Sequence, residues 1–282
     1  MTPPNRRPGF DATRRSRNIG TEKQGHGQDN RMVIPSRWSD DRVYYEVLRN
    51  PVPVVRRAAG NRVTFLVEPT IKGFVHACTL DDVCHVLAHL PADHWREIDL
   101  IILRQPTRKQ NRLNPVWGRL IYYANVGRYE GPAIFLDAQD PDEPIRWTRS
   151  LDREGEQELA RLEGDGHEVH RDRRHYLISR SLRSIRTTQL YRTLIHEVGH
   201  EVDWQRSVVW PFLDREGAEV EEERAQETYG ARPSVEKEAF AHRYADETRR
   251  ELETTGIIPF ERQVSEAGLR EDNLRPEWFG LE

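Results

Sequence analysis

The chain has 282 residues, 36% apolar and 32% charged, with 43 Lys and Arg set against 47 Asp and Glu. That length fills one large domain or two small ones, and a net charge of -4 argues against a globally basic nucleic-acid binder. No run reaches the roughly 20 apolar residues of a membrane span, and two cysteines, Cys78 and Cys84, exclude a disulfide-dense scaffold and an all-cysteine metal site.

Residues 1–31 are rich in Pro, Gly, Asn, Gln and Arg and lack apolar periodicity, which predicts a flexible basic tail. Its cations are scattered without aromatic partners, so the composition does not favour a nucleic-acid contact. With no apolar stretch after the basic start, the segment does not read as a secretory signal, and a cytoplasmic location is expected. Residues 32–98 are expected to form an N-terminal α/β portion packed on a larger domain over 99–282. In RVTFLVE (62–68) the residues Val63, Phe65 and Val67 alternate, and TIKG then leads into FVHAC, the pattern of an antiparallel hairpin. Thr79 is placed to cap a helix over TLDDVCHVLAHL, with Asp81 and Asp82 in its first turn and Leu80, Val83, Leu87 and Leu90 at helical spacing, before Pro91 ends it.

DLIILR (99–104), RLIYYAN (119–125) and PAIFLDA (132–138) are apolar segments of strand length and suggest the sheet of one α+β domain. DREGEQELARLEGDG predicts a short surface helix, and YLISRS (176–181) one more strand. A long helix is expected from Leu182 or Thr187 to Trp204. Leu190, Leu194, Val198 and Val202 share one face of it; His196 and His200 lie on the other, with Asp203 close by. The acid-rich stretch 214–227 reads as an exposed helix or ordered loop, YGARPS (229–234) as a turn, and VEKEAFAHRYADETRREL as a helix from about Val235 to Leu252.

HEVGH at 196–200 carries the chemistry. Histidines four residues apart on a helix point two imidazoles at one ion, and zinc suits nitrogen ligands with one position left open. Glu197, beside the first histidine, is positioned to act as general base toward water without itself being a ligand. The apolar opposite face implies a buried, oriented helix rather than a solvated His/Glu/His surface. A third ligand is required, and the downstream helix supplies Glu238. Ala241 and Ala245 flank it and permit close helix approach, while Phe240 and Tyr244 fall on the reverse face. Glu236 and Glu221 to Glu223 are rival carboxylates.

HEVGHEVDW (196–204) followed by YGARPSVEKEAFAHRYA (229–245) resembles the catalytic domain of anthrax lethal factor and related zincin-like metallopeptidases. The resemblance covers about 60 residues and rests on motif order, the YG pair and the EAFA segment. It implies an α+β zincin-like metallopeptidase domain, with a small mixed sheet packed against the active-site helix and a second helix carrying a metal ligand. It further implies zinc held by His196, His200 and Glu238, Glu197 as catalytic base, and Tyr229 assisting the transition state. The interval from Tyr229 to Glu238 is two residues longer than the family's pattern; a turn aromatic packed beside Pro233 is the structural alternative for Tyr229. By the same resemblance, PAIFLDA is the edge strand that aligns an extended protein or peptide substrate.

Zinc-dependent hydrolysis of a peptide bond, as an endopeptidase, is therefore the expected function. The competing reading is a non-proteolytic zincin-like module in which zinc serves structure or regulation, with the acidic 214–227 segment as the surface for a regulatory protein partner. Asp203 is placed either to orient a ligand imidazole or to pair with an arginine. His85 and His89 repeat the four-residue spacing without a carboxylate between them and read as core or surface histidines. Cys84 and His85 diverge on a helix and make a poor nucleophile and base pair. RQPTRKQNR (104–112) reads as a solvated basic turn.

Overall fold

The computed structural model describes residues 45–113, 116–213, 215 and 217–281. The tail expected over 1–31 lies outside them. The chain divides into two units, Met1–Val47 and Leu48–Glu282. Of the first, only 45–47 are described, and the following concerns the second.

Its centre is a mixed five-stranded sheet. Strands β1 (Val52–Ala58) and β2 (Asn61–Val67) form an antiparallel hairpin. Ala59 and Gly60 connect them, both at positive φ, as a tight two-residue hairpin turn requires. The expected hairpin partner was FVHAC; the true one lies upstream. In β1 the arginines and Pro53 obscure the alternation, because one face of this edge strand is exposed. FVHAC is instead a largely buried connection that forms an isolated bridge, Val75 to Gln139, outside the strands.

Helix α1 (Leu80–Ala88) follows, closed at its start by a reciprocal cap in which Thr79 accepts from the Asp82 N–H and Asp82 from the Thr79 N–H. It crosses over to β3 (Leu100–Arg104), which pairs in parallel with β2. The sheet therefore runs across the expected boundary at residue 98. The short helix α2 (Arg108–Leu113) leads to β4 (Gly118–Val126) and β5 (Tyr129–Asp137). Strand β5 is parallel to β3 and antiparallel to β4, giving the order β1-β2-β3-β5-β4. β3 and the second half of β5 are buried throughout, which is why they read as unbroken apolar runs.

A second, three-stranded antiparallel sheet consists of β6 (Ile145–Thr148), β7 (Glu168–Arg171) and β8 (His175–Ser179) in the order β6-β8-β7. Helix α3 (Arg153–Gly164) joins β6 to β7 and buries Leu159 and Leu162 against Ile178.

One helical run then extends from Leu182 to Phe212. It comprises α4 (Leu182–Thr188), a wider π-helical stretch at Gln189–Leu194, α5 (Ile195–Trp204), a second π stretch at Gln205–Val209 and a final tight turn at Trp210–Phe212. Leu190, Leu194, Val198 and Val202 are wholly buried, so the apolar face falls where the spacing puts it. The run passes the expected end at Trp204, and Pro211 sits in its closing turn. Helix α6 (Glu219–Ala231) includes Tyr229 to Ala231, expected as turn; the break comes at Arg232 and Pro233, where the backbone is extended. Helix α7 (Ser234–Thr254) and the short α8 (Glu266–Glu271) complete the unit, and the chain returns to the core through Phe279. The architecture is α+β, and no helix among the described residues is long and apolar enough to cross a membrane.

Candidate metal centre

The site is made where α5 and α7 meet beside β4. Helix α5 presents His196 and His200 one turn apart, with ring centroids separated by 4.7 Å and planes nearly perpendicular. Helix α7 brings Glu238 between them: one carboxylate oxygen lies 3.2 Å from His196 Nε2, the other 3.6 Å from His200 Nε2. One atom from each of the three residues lies within 4.8 Å of the other two. Two imidazole nitrogens and a carboxylate oxygen so placed are a donor set that zinc accepts. The buried Nδ1 of His196 has no partner among the described residues, and the ring of His242, one turn beyond Glu238 on α7, lies tilted against it with centroids 4.5 Å apart. The rival carboxylates are elsewhere: Glu236 is exposed, 4.0 Å from the Arg232 guanidinium, and Glu221 to Glu223 are exposed on α6.

Close approach of the helices depends on small residues from both. A Cβ on Gly199 would lie 3.0 Å from the Tyr244 ring, 3.1 Å from Ala241 Cα and 3.2 Å from its carbonyl oxygen. Gly199→Val should therefore force α7 outward, cost about 1–3 kcal/mol by overpacking, and carry Glu238 away from the imidazoles. Titration with zinc, together with denaturant unfolding, checks this; wild-type zinc affinity at unchanged stability would show that the contact is not what sets the spacing.

Glu197, next to His196 on α5, is buried, with one carboxylate oxygen accepting the backbone N–H of Leu120 on β4 at 2.7 Å. Burial raises its pKa above the usual carboxylate range, against the opposing effect of His196, His200 and the Leu120 N–H. Hydrogen bonds from His196 and then His200 hold the Glu238 carboxyl well below that range. Burial lowers the His200 imidazole, but the Glu238 hydrogen bond and the nearby carboxylates outweigh it and raise the pKa overall. Leu120, Tyr122, His196, Glu197, His200 and Glu238 face one open cleft of about 460 Å³.

β4 occupies the edge of the sheet, and PAIFLDA, expected at that edge, is paired on both sides as β5. The register slips between Ile121 and Ala124, a bulge that turns the strand locally. At this bulge Tyr122 donates to the His200 carbonyl at 3.0 Å and lies 3.1 Å from the Tyr229 hydroxyl. Tyr229 is itself buried, and its hydroxyl donates to Asp203 at 3.2 Å. Burial pushes its phenol up to about 12. Tyr122 lines the cleft, and Tyr229 is in contact with it. Sequence reasoning missed Tyr122 because a strand tyrosine carries no positional signal before the bulge is known. Of the two placements open to Asp203, the structure shows the arginine pairing: its carboxylate is bound by Arg232 as well as by Tyr229.

The weaker candidates have ordinary surroundings. His85 packs on Phe260 with centroids 4.1 Å apart, and His89 Nδ1 donates to the His85 carbonyl. The Cys84 thiol is pushed up to about 12 by burial, which suppresses the thiolate a nucleophile needs. In the basic segment, Arg108 donates to the Lys72 carbonyl and sits over Phe74. Comparison of the chain with protein-family models, with curated proteins and with solved structures finds no match.

Proposed function

We propose that the protein is a zincin-like, zinc-dependent peptidase. The observation that supports this most is the convergence of His196, His200 and Glu238, from two helices, next to a buried glutamate anchored on an edge strand. Zinc at such a donor set supplies Lewis acidity, polarising a scissile carbonyl and making water more acidic. Glu197 accepts the proton of the attacking water and passes it to the leaving amine. Its Leu120 contact holds one carboxylate oxygen still and leaves the other for proton exchange. Among the described residues β4 has a neighbouring strand on one side only, so its outer backbone groups suit pairing with an extended peptide. That geometry favours an unfolded segment over a folded surface as substrate. The Tyr122 bond to the His200 carbonyl fixes the edge strand relative to the ligand helix, and Tyr229 and Asp203 support Tyr122.

Digestion of an unbiased peptide library by wild-type protein and by Glu197→Gln tests the reading. Cleavages made by the first and absent from the second are expected. Stoichiometric zinc without any Glu197-dependent cleavage would instead mark a structural or regulatory zinc module.

A further inference from the structure

One charge in the cleft has no part in the chemistry proposed above. Lys237 precedes the ligand Glu238 and lines the same cleft. Its ammonium donates to the Gly230 carbonyl at 3.3 Å and rests 4.8 Å from the centroid of the Tyr229 ring. A lysine has three N–H donors, so two remain for other partners. Among the described residues no carboxylate forms an ion pair with it. Neighbouring acids are engaged: Glu238 with the two imidazoles, Asp203 with Arg232, and Glu197 with the Leu120 N–H. Arg119 of β4 also lines the cleft, and its guanidinium lies 4.0 Å from the Asp137 carboxylate. A peptide lying along β4 therefore passes the Lys237 ammonium.

We infer that Lys237 is a specificity-determining residue that pairs with a carboxylate of the substrate close to the scissile bond, making acidic peptides the preferred substrate class. The inference rests on the peptidase reading. A partly desolvated ammonium facing a carboxylate gives a charge-assisted hydrogen bond and selects against cationic side chains at that subsite. The carboxylate comes either from an Asp or Glu side chain or from the peptide's own C-terminus, and the recognition chemistry is shared.

The test starts from the Glu197-dependent cleavages of the library. Matched peptides carrying Glu, Gln or Lys at the enriched position, each with a free or an amidated C-terminus, are assayed with wild type, Lys237→Met, Lys237→Arg and Lys237→Glu. Wild type should prefer Glu over Gln by about tenfold in kcat/KM, the scale of one hydrogen bond to a charged group, with the difference mainly in KM. Lys237→Met should bring the ratio near unity, Lys237→Arg should retain it, and Lys237→Glu should shift preference to Lys. If the terminus is the source, the same pattern appears as a preference for free over amidated peptides. Each comparison is a ratio within one variant, so a loss of folded protein does not imitate the effect. A carboxylate preference that survives Lys237→Met, or none in wild type, overturns the inference and leaves the peptidase reading standing. Absence of any Glu197-dependent cleavage overturns both.

Discussion

Glu197→Gln should lower peptide turnover by about 10²–10⁴-fold, the usual contribution of a general base, while zinc stoichiometry and unfolding free energy change little. The amide keeps the shape of the carboxyl and its carbonyl oxygen still accepts the Leu120 N–H, so the β4 to α5 contact survives. What disappears is the capacity to take a proton from water. Glu197 is outside the ligand trio, whose members are His196, His200 and Glu238; losing its charge should leave the donor set complete. Turnover assays paired with metal analysis read the two effects separately. Retained turnover with zinc bound would remove Glu197 from the mechanism, whereas loss of zinc would make its role structural.

The second large effect is expected at Asp165, which is not among the residues lining the cleft but is joined to both ligand helices. Its side chain is fully buried and accepts from Arg192 Nε at 2.8 Å, Arg249 at 2.7 Å and the Thr188 hydroxyl at 2.9 Å. Arg192 lies one turn before His196, and Arg249 follows Glu238 on α7. The carboxylate thus fastens the two helices that must hold one ion between them. Asp165→Ala leaves two largely enclosed guanidiniums facing each other, and breaking a buried ion pair from one side costs about 3–5 kcal/mol. Glu158 still binds Arg192 and Glu253 still binds Arg249, so the lower end of that range is expected. Zinc affinity should fall with stability as the helices loosen. Denaturant unfolding with and without zinc measures both; a loss below about 1 kcal/mol with unchanged zinc affinity would show that Asp165 does not set the helix pairing.

Periodicity was most informative where burial is one-sided or complete. Leu190, Leu194, Val198 and Val202 mark the inner face of the ligand helix because every fourth residue returns to that side, and the same geometry puts His196 and His200 together outside it. Ala241 identified the close face of α7 from residue size alone; Gly199 is its counterpart on α5. Pattern failed where neighbours decide. An unbroken apolar strand such as PAIFLDA is buried on both faces and belongs inside the sheet, whereas the half-exposed RLIYYAN belongs at the edge. The hairpin partner of β2 was hidden by arginines on an exposed face. β6 and β7 have four residues each, too few for alternation to register. Tyr122 acquires its position from a bulge, and Tyr229 belongs to a helix, α6, that persists through Ala231; neither is encoded in spacing.

Metal content tests the central claim most directly. Wild-type protein and the single variants His196→Ala, His200→Ala and Glu238→Ala, each stripped with chelator, reloaded with zinc and dialysed, are analysed by mass spectrometry of the metal. One zinc per chain is expected in wild type and a large loss in every variant; full stoichiometric zinc in all three variants would contradict a shared site.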